Sequence, residues 1–476
     1  MKSLNLALLV LLAGCAGLPG EDDSAPLLAQ PAVQKTLARA AATTIPGTWP
    51  ASDWWTKLEN PELSRLIETA LKDQPDIQAA AHRLEEADAQ VAVETARLLP
   101  GLEAGAFLGK QRFSANSVQA KLAGQNFGFI LLNPANLHWH LDLWGRDRAA
   151  IAAAMGRAQA RQAELAQAKI LLSTVVARSY LALTLSEARL KTARALAAMR
   201  RQVLHLRRLR FQAGLDPRLE VDRAGEQYQA NQILVTALER KRQILRHQLA
   251  YLVGKGPDFG AGIAAGLVQV TDRFPLPRNL PLHLLAHRPD VAAARTLAQA
   301  AAQEVKVAKT AFFPDINIVG FAGFHSVSFT DILFHGSSLA YQIGPTLELP
   351  LFEGGLLRAN LRARRAAYQA AVANYHRTVL RAVQQVADAL TRFQTATRRL
   401  EAGRALVAAA NRRQTLNRSL YRAGLNDQIP WLEAMAEELA ERLTLLSLEL
   451  ERQSAAVDLI EALGGGWREG GNDGEH

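Results

Sequence analysis

Two histidines offer the most concentrated metal-binding chemistry in the sequence. His138 and His140 lie two residues apart in segment 136–144, where apolar and polar residues alternate. Residues two apart share one face of a β-strand, so both imidazoles would point the same way. Because unligated polar pairs are common on the inner faces of barrels, we interpret this pair as part of a polar face and predict no bound metal.

The other reactive side chains form no catalytic set. None of the eleven histidines belongs to a His-Glu-x-x-His motif, and a single cysteine leaves no cysteine pair. Gly254-Lys255-Gly256 lacks the spacing and the helix entry of a phosphate-binding loop. With no nucleophile motif to support a lipid-anchored hydrolase, we predict that the protein is not an enzyme and has no catalytic residues, metal or cofactor.

Cys15 is the only cysteine, and its position is informative. It ends a short apolar stretch that follows Lys2 and is too short to span a bilayer, as in a secretory signal. The ending Leu12-Ala13-Gly14-Cys15 resembles a bacterial lipobox, which implies cleavage before Cys15 and attachment of lipid, including palmitate, to it. Ala16 replaces the aspartate that would favour retention at the inner membrane. The alternative is a plain signal peptide with an incidental cysteine.

Composition places the 476-residue chain among folded proteins, with 49% hydrophobic and 21% charged residues. No run of about 18 apolar residues follows the N-terminus, so we predict no transmembrane helix in the mature chain. The net charge of +10 is one feature of nucleic-acid-binding proteins. The arginines stand beside acidic partners along helical stretches, which indicates solvated helix faces and no nucleic-acid partner.

The chain contains one large internal repeat, offset by about 210 residues. Four motifs recur in the same order: Gln74-Pro75-Asp76-Ile77 with Arg288-Pro289-Asp290-Val291, Leu99-Pro100 with Phe313-Pro314, Leu141-Asp142-Leu143-Trp144 with Leu349-Pro350-Leu351-Phe352, and Ala213-Gly214-Leu215 with Ala423-Gly424-Leu425. Each half therefore predicts the order helix, strand, strand, long helix, helix.

Proline and glycine mark the ends of the predicted helices. These are the first helices at 76–98 and 290–312, the long helices at 146–213 and 356–423, and the last helices at 217–253 and 427–463. A long helix would extend about 100 Å and end at a left-handed glycine, Gly214 or Gly424. Asp216 and Asn426 are the predicted N-caps of the last helices. The summed lengths suggest a tall cylinder.

Period-two alternation predicts strands between the first and long helices. Segments 136–144 and 339–351 carry the clear signal, and 102–108 and 316–324 are weaker, glycine-bearing partners. Apolar residues share one face and polar residues the other, as in the wall of a barrel. Because four strands cannot close a pore, we predict that the chain oligomerises to complete one. The alternative is a soluble, half-buried sheet.

The predicted domain organisation has five segments. They are a signal peptide at 1–14, a lipid-anchored N-terminal lead at 15–60, a first structural repeat at 61–262, a second structural repeat at 263–464 and a mobile tail at 465–476.

Taken in order, these motifs resemble the TolC-type outer-membrane efflux protein family. The resemblance is to its lipoprotein branch, the NodT-like outer-membrane components of tripartite RND-type efflux systems, and it covers residues 49–463. It is carried by the lipobox at Cys15, Trp54-Trp55, Asn60-Pro61-Glu62-Leu63, the two proline junctions, Leu351-Phe352-Glu353-Gly354-Gly355 and the paired Ala-Gly-Leu turns.

The resemblance implies a mainly α protein with a small β-barrel part. Its members are homotrimers in which four strands per chain form a twelve-stranded outer-membrane barrel, continuous with a long α-helical periplasmic tunnel. The implied partners are a periplasmic adaptor (membrane fusion) protein, an inner-membrane RND-type pump and outer-membrane lipid. The implied function is a passive exit duct for drugs or other small toxic solutes, lipid-anchored in the outer membrane of a Gram-negative bacterium, with antibiotic resistance as its consequence.

The resemblance also places a gate at the periplasmic tip, at the turns after Gly214 and Gly424. Glu220, six residues after Gly214, and Glu433, nine residues after Gly424, stand at acidic positions of the family. Three copies of one carboxylate around a pore would repel one another and favour cations. The other tip candidates are Asp222, Asp427, Asn426 and Tyr421.

Two positions depart from the family pattern at this tip. Pro430 stands where members often have aspartate, and Asn426 stands where some members have the arginine of a tip latch. A second acidic ring and that latch are therefore not supported by the motif. The alternative interpretation of Glu220 and Asp222 is that they are solvated first-turn acids favoured by the helix dipole.

Two other functions fit parts of the pattern. The outer-membrane duct of a type I protein secretion system shares the fold, and the lipobox and Trp54-Trp55 favour small-solute efflux over it. A periplasmic coiled-coil adaptor would have a lipoyl-like β domain and no apolar-outward strands, so the predicted strands argue against it.

Overall fold

The computed structural model describes residues 44–116, 120–266, 268, 274–277, 287–327 and 336–470. Cys15 and the signal peptide lie outside the described residues, so the lipobox stays a prediction. Most of the lead at 15–60 and the end of the tail at 465–476 lie outside them as well.

The first half of the chain has the predicted order of elements, preceded by a short strand and by one helix, Pro61–Asp73, that was not predicted. The elements are β1 (Thr44–Gly47), α1 (Pro61–Asp73), α2 (Pro75–Ala96), β2 (Gly101–Arg112), β3 (Asn126–His140), α3 (Arg146–Gln212) and α4 (Arg218–Leu252). Asn60 begins α1, because its side-chain oxygen accepts a hydrogen bond of 2.8 Å from the Leu63 amide and Pro61 takes the first helical turn.

Among the described residues, the second half repeats these elements except α1, and its helices have the same lengths as their counterparts. The elements are β4 (Phe274–Pro277), α5 (Pro289–Thr310), β5 (Asp315–Ser326), β6 (Leu339–Glu348), α6 (Leu356–Arg422) and α7 (Gln428–Ala462). The long helices α3 and α6 have 67 residues each, and α4 and α7 have 35 each. At 1.5 Å per residue, each long helix extends about 100 Å.

Left-handed glycines end both long helices as predicted. Gly214 and Gly424 have φ values of 74° and 71°. The next residue in each turn donates its amide back to the last helical turn, Leu215 to the Arg210 carbonyl at 2.8 Å and Leu425 to the Leu420 carbonyl at 3.0 Å. This 6→1 bond defines a Schellman motif, which satisfies carbonyls that the helix leaves free.

Four strands form one antiparallel sheet in the order β2-β3-β5-β6. Its register places one apolar set on a single face, comprising Leu102 and Leu108 of β2, Ile130, Leu132, Leu137 and Trp139 of β3, Ile316 and Ile318 of β5, and Leu339, Tyr341, Ile343 and Leu347 of β6. On edge strand β6, Tyr341 and Ile343 are 77% and 71% exposed within the single chain. The predicted faces of 136–140 and 339–347 are therefore confirmed.

The predicted strand at 136–144 has the wrong limits, since β3 runs from Asn126 to His140. The strand stops because Asp142 turns to the start of α3, where its carboxylate accepts from the Asp147 and Arg148 amides at 3.2 and 3.1 Å. Trp144 leaves the sheet and stacks on Phe313, with ring centroids 5.1 Å apart. The strand predicted at 339–351 likewise ends earlier, at Glu348.

Two compact units divide the described residues. One contains 84–161 and 294–375, with the four-stranded sheet and a small core at Val305, Ala308 and Leu361. The other contains 44–83, 162–293 and 376–470 where described, and its largest core packs α1 against α3 and α4 around residues such as Leu66, Tyr180 and Leu249.

One described helix, α3, contains an 18-residue window whose length and composition would suit a membrane span. The window meets this criterion by its mean hydropathy and is interrupted by polar residues, so it does not contradict the sequence prediction of no uninterrupted apolar run. Within the structure, 56% of this window is buried by protein, as for a helix in a protein core.

Candidate functional site

The two turns after α3 and α6 bring three of the six predicted tip residues into one cluster, which we call the tip cluster. It consists of Arg207, Arg210, Asp216, Glu220, Asp427 and Glu433. Both turns are five-residue connections, 213–217 and 423–427, and each contains a Schellman glycine shortly before the next helix begins.

Arg207 is the centre of the cluster. Its Nη1 donates to Asp216 Oδ2 at 3.1 Å and its Nη2 donates to Glu433 Oε1 at 3.1 Å, with Glu220 Oε2 at 3.6 Å. The side chain is only 19% exposed. Burial alone would lower the pKa of Arg207, and the hydrogen bonds to Glu433 and Asp216 more than offset this, so the pKa lies above its ordinary value.

Arg210 joins the two turns directly. Its Nε and Nη2 each donate to one oxygen of Asp216 at 3.1 Å, and its Nη1 donates to Asp427 Oδ2 at 2.8 Å. The two-point contact with Asp216 is the bidentate geometry that guanidinium groups favour. The turn of the first repeat is thereby bonded to the N-terminus of α7.

The predicted tip residues have different outcomes in this geometry. Glu220, Glu433 and Asp427 enter the cluster, whereas Asp222 points elsewhere and pairs with the exposed Arg218 at 3.0 Å. Tyr421 stacks on Trp431, with centroids 5.6 Å apart, and Asn426 lies exposed in the turn. Whether any of them gates a pore stays a prediction.

The predicted N-caps of the last helices are each displaced by one residue. Pro217 and Asp427 occupy the N-cap positions, and Asp427 Oδ1 accepts from the Ile429 amide at 3.0 Å. Asp216 instead accepts hydrogen bonds from Arg207 and Arg210. Asn426 fails as a cap because Asp427, one residue later, supplies the capping carboxylate.

Sequence reasoning missed the two arginines that organise the cluster. Arg207 and Arg210 belong to an arginine-rich stretch of α3 that we interpreted as a wet surface. Their three-residue spacing puts them on one helical face, one turn before Gly214, and that spacing was the available signal. Four carboxylates of the cluster face three guanidinium groups, counting Arg223, which contacts Glu220 at 3.1 Å.

Acid is expected to weaken the tip cluster. The pKa of Asp216 lies below its ordinary value of 3.8, chiefly because Arg210 hydrogen-bonds to it. A carboxylate with a depressed folded-state pKa contributes its full stability above 3.8 and loses it as the pH falls through the lower folded value. We therefore expect the Tm difference between the wild type and Asp216→Asn to shrink as the pH falls below 3.8.

Thermal unfolding followed by circular dichroism between pH 6 and pH 3 would measure this difference. Asp222→Asn is the matched control, because Asp222 contacts only an exposed arginine and its substitution should have a small effect at every pH. A wild-type advantage over Asp216→Asn that stays constant to pH 3 would contradict the assignment.

A family comparison decides what kind of protein carries this fold and cluster. The family model described as outer membrane efflux protein matches residues 66–255 and 280–465. This chain belongs to the outer membrane efflux protein family. The two matched segments begin in the first and the second predicted repeat.

Two curated relatives are similar to this chain over most of their own length. The multidrug resistance outer membrane protein MdtP of Escherichia coli K12 is 31% identical over 469 residues, which cover 97% of this chain and 95% of MdtP. The fusaric acid resistance protein FusA of Burkholderia cepacia is 34% identical over 369 residues, which cover 76% of this chain and 68% of FusA.

Solved structures of outer-membrane channels have the same fold. The outer membrane protein VceC of Vibrio cholerae is 30% identical with a TM-score of 0.80, covering 88% of this chain and 100% of VceC. The outer-membrane channel OprN is 26% identical with a TM-score of 0.82, covering 95% of this chain and 100% of OprN.

These comparisons confirm the predicted fold class, the outer-membrane location and the assignment as an efflux duct of the TolC type. Because the family is a transport duct without catalytic activity, the prediction that the protein is not an enzyme is also confirmed. The periplasmic adaptor interpretation is wrong, since the related structures are channels of the outer membrane.

Proposed function

We propose that three copies of this chain form an outer-membrane duct that receives small toxic solutes from a periplasmic adaptor and an inner-membrane RND-type pump. The sheet carries the proposal. Within the described residues, β2 and β6 are its edge strands, and each has a row of backbone groups available for pairing with another strand. Pairing β6 of one chain with β2 of the next would close a twelve-stranded barrel in a trimer.

The exposed apolar face of the sheet supports a lipid-facing wall. Tyr341, Ile343 and Leu347 alternate along β6 and are all more than half exposed in the single chain. Gln342 and Thr346 lie on the opposite face, which would line the water-filled interior. Lipid on Cys15 would add a second attachment to the same membrane.

The tip cluster is proposed as the periplasmic gate. In a trimer its carboxylates and arginines would surround the pore in three copies, with Asp216, Glu433 and Glu220 around Arg207. Three copies of Glu433 and of Glu220 around the pore would repel one another and favour cations. The substrates proposed here follow the relatives, which are named for multidrug and fusaric acid resistance.

Planar-bilayer recording of the purified protein, together with its mass in detergent, tests the proposal. We expect a trimer with cation-preferring single-channel currents. Glu433→Ala removes one negative charge per chain and leaves Arg207 less neutralised, so cation preference should fall markedly and in the direction of anions.

Asp222→Ala is the matched control, because it removes the same charge outside the cluster. Its cation preference should stay near that of the wild type. A monomer without current at any voltage would refute the duct, and equal effects of the two substitutions would refute the placement of the gate.

A further inference from the structure

His140 lies between carboxylates at the end of β3. Its Nδ1 is 2.9 Å from Asp315 Oδ1 and 3.2 Å from Asn317 Oδ1, and its Nε2 is 3.4 Å from Asp147 Oδ2. Asn317 Oδ1 is placed to accept a hydrogen bond from Nδ1, which favours the tautomer with the ring proton on that nitrogen. The lone pair of Nε2 then faces the carboxylate of Asp147, an arrangement that needs a positive species between them.

Asp147 is the most buried carboxylate of this cluster, and one of its oxygens is unsatisfied. It is only 6% exposed, and its Oδ2 atom, which points at His140, has no hydrogen-bond partner among the described residues. Burial raises the pKa of Asp147 above its ordinary value. A buried carboxylate oxygen without a partner is costly, which makes this atom a position where a ligand would stabilise the fold.

The distance between His140 and Asp147 matches that between two ligands of one metal ion. At about 2.0–2.1 Å from a tetrahedral Zn²⁺, two ligand atoms lie about 3.3 Å apart. The 3.4 Å between Nε2 and Oδ2 has this value and is longer than a good N–H···O hydrogen bond. A carboxylate oxygen of Asp142 is the third candidate, and the ligand atoms of His140, Asp142 and Asp147 all lie within 4.8 Å of one another.

Asp142 remains able to bind a metal although it is hydrogen-bonded. Its Oδ1 accepts only from the Asp147 amide at 3.2 Å, and its Oδ2 accepts from Arg148. Because a carboxylate oxygen has two lone pairs, it can accept an amide and coordinate an ion together. A small side-chain movement or a bridging water would complete the coordination.

We propose that His140, Asp147 and Asp142 bind one divalent cation, with Zn²⁺ the best match, and that Asn317 and the adjacent Asp315 orient the imidazole from the other side. One nitrogen and carboxylate oxygens suit Zn²⁺ and neighbouring transition metals. The second imidazole nitrogen facing a carboxylate is the arrangement that orients metal-bound histidines in other proteins. The ion would join the end of β3 to the first turn of α3.

Charge and access agree with a cation at this place. Three carboxylates, Asp142, Asp147 and Asp315, are accompanied by two guanidinium groups, Arg146 at 3.9 Å from Asp315 and Arg148 at 3.0 Å from Asp142. Within the same compact unit, a cavity of about 580 Å³ is lined by His140, Asp142 and Asp315 and gives an entry path. The site is independent of the proposed gate.

Isothermal titration of the tag-free, EDTA-treated protein in detergent with ZnCl₂ tests the site. We expect one Zn²⁺ per chain, with affinity at least about tenfold weaker in His140→Gln and in Asp147→Asn. His138→Gln is the matched control, since this neighbouring histidine belongs to the same strand and lies outside the cluster, and it should bind as the wild type does. Asp315→Asn should weaken binding about tenfold or more through loss of orientation alone.

A second measurement distinguishes loss of the metal site from misfolding of a variant. Co²⁺ added to the wild type should produce visible d–d absorption bands, and these should be absent in His140→Gln protein whose oligomer mass and circular dichroism are unchanged. Binding of equal strength in His140→Gln and the wild type, or no binding by the wild type at 100-fold excess Zn²⁺, would overturn the proposal.

Discussion

Replacing Arg288 by alanine is expected to lower the free energy of unfolding by about 3–5 kcal/mol, the usual cost of removing one partner of a buried ion pair. Arg288 is 4% exposed. Its guanidinium donates two hydrogen bonds to Asp290 at 2.9 and 2.7 Å, one to the Ala462 carbonyl at 2.9 Å and one to Gln385 at 2.7 Å. All these acceptors would lose a partner at once.

The internal repeat provides the control for this prediction. Gln74 stands at the corresponding position of the first repeat, is equally buried, and accepts one hydrogen bond of 2.7 Å from the Asp76 amide. Gln74→Ala should therefore cost only about 1 kcal/mol. Arg288→Lys should restore little, because an ammonium group cannot reproduce the planar fork. Guanidinium unfolding measures all three, and equal losses for Arg288→Ala and Gln74→Ala would contradict the argument.

The limits of the helices could be predicted because short-range chemistry determines them. Pro75 and Pro289 supply the preset φ of a first helical turn, and Gly214 and Gly424 supply the left-handed φ that ends a helix. Neither effect depends on residues far away in the chain. The predicted limits of α3 and α6 therefore differ from the observed ones by a single residue.

The start of β3 could not be predicted because a bulge changes the period of its side chains. Leu132 pairs with Phe324 and Ala135 pairs with Ala322. The chain therefore advances three residues along β3 while it advances two along β5. The apolar face consequently moves from odd positions such as Leu137 to even positions such as Leu132. Upstream of the bulge the residues no longer fit the alternation set by Leu137, so a search for a strict period of two does not recognise this part of the strand.

The acidic residues of the tip cluster could be predicted from the sequence, but its two arginines could not. Its acidic members follow from the family motif, but Arg207 and Arg210 resemble every other arginine on the polar faces of α3. Their roles depend on Asp216, which the Gly214 turn carries back toward α3. Contacts of this kind come from the path of the chain through a turn, which residue types alone do not specify.

The substitution Ile343→Arg in β6 is expected to be strongly destabilising in the membrane. Ile343 lies near the middle of the strand on the apolar face, and an arginine facing lipid at the bilayer midplane costs about 2–4 kcal/mol. The loss would occur in every chain of an oligomer. We expect far less protein in the outer-membrane fraction and a lower Tm for the oligomer that is recovered.

Gln342→Arg tests whether the effect depends on the face of the sheet. Residue 342 is adjacent in the same strand, is also exposed in the single chain, and lies on the polar face. A side chain there would enter the aqueous interior, so the substitution should leave assembly and Tm nearly unchanged and lower cation conductance by adding positive charge to the pore. Membrane fractionation, thermal unfolding and bilayer recording of the two variants therefore separate a lipid-facing barrel wall from a soluble sheet. In a soluble sheet with both faces in water, neither arginine would impair membrane insertion or change a conductance, because an exposed residue gains only a solvated charge.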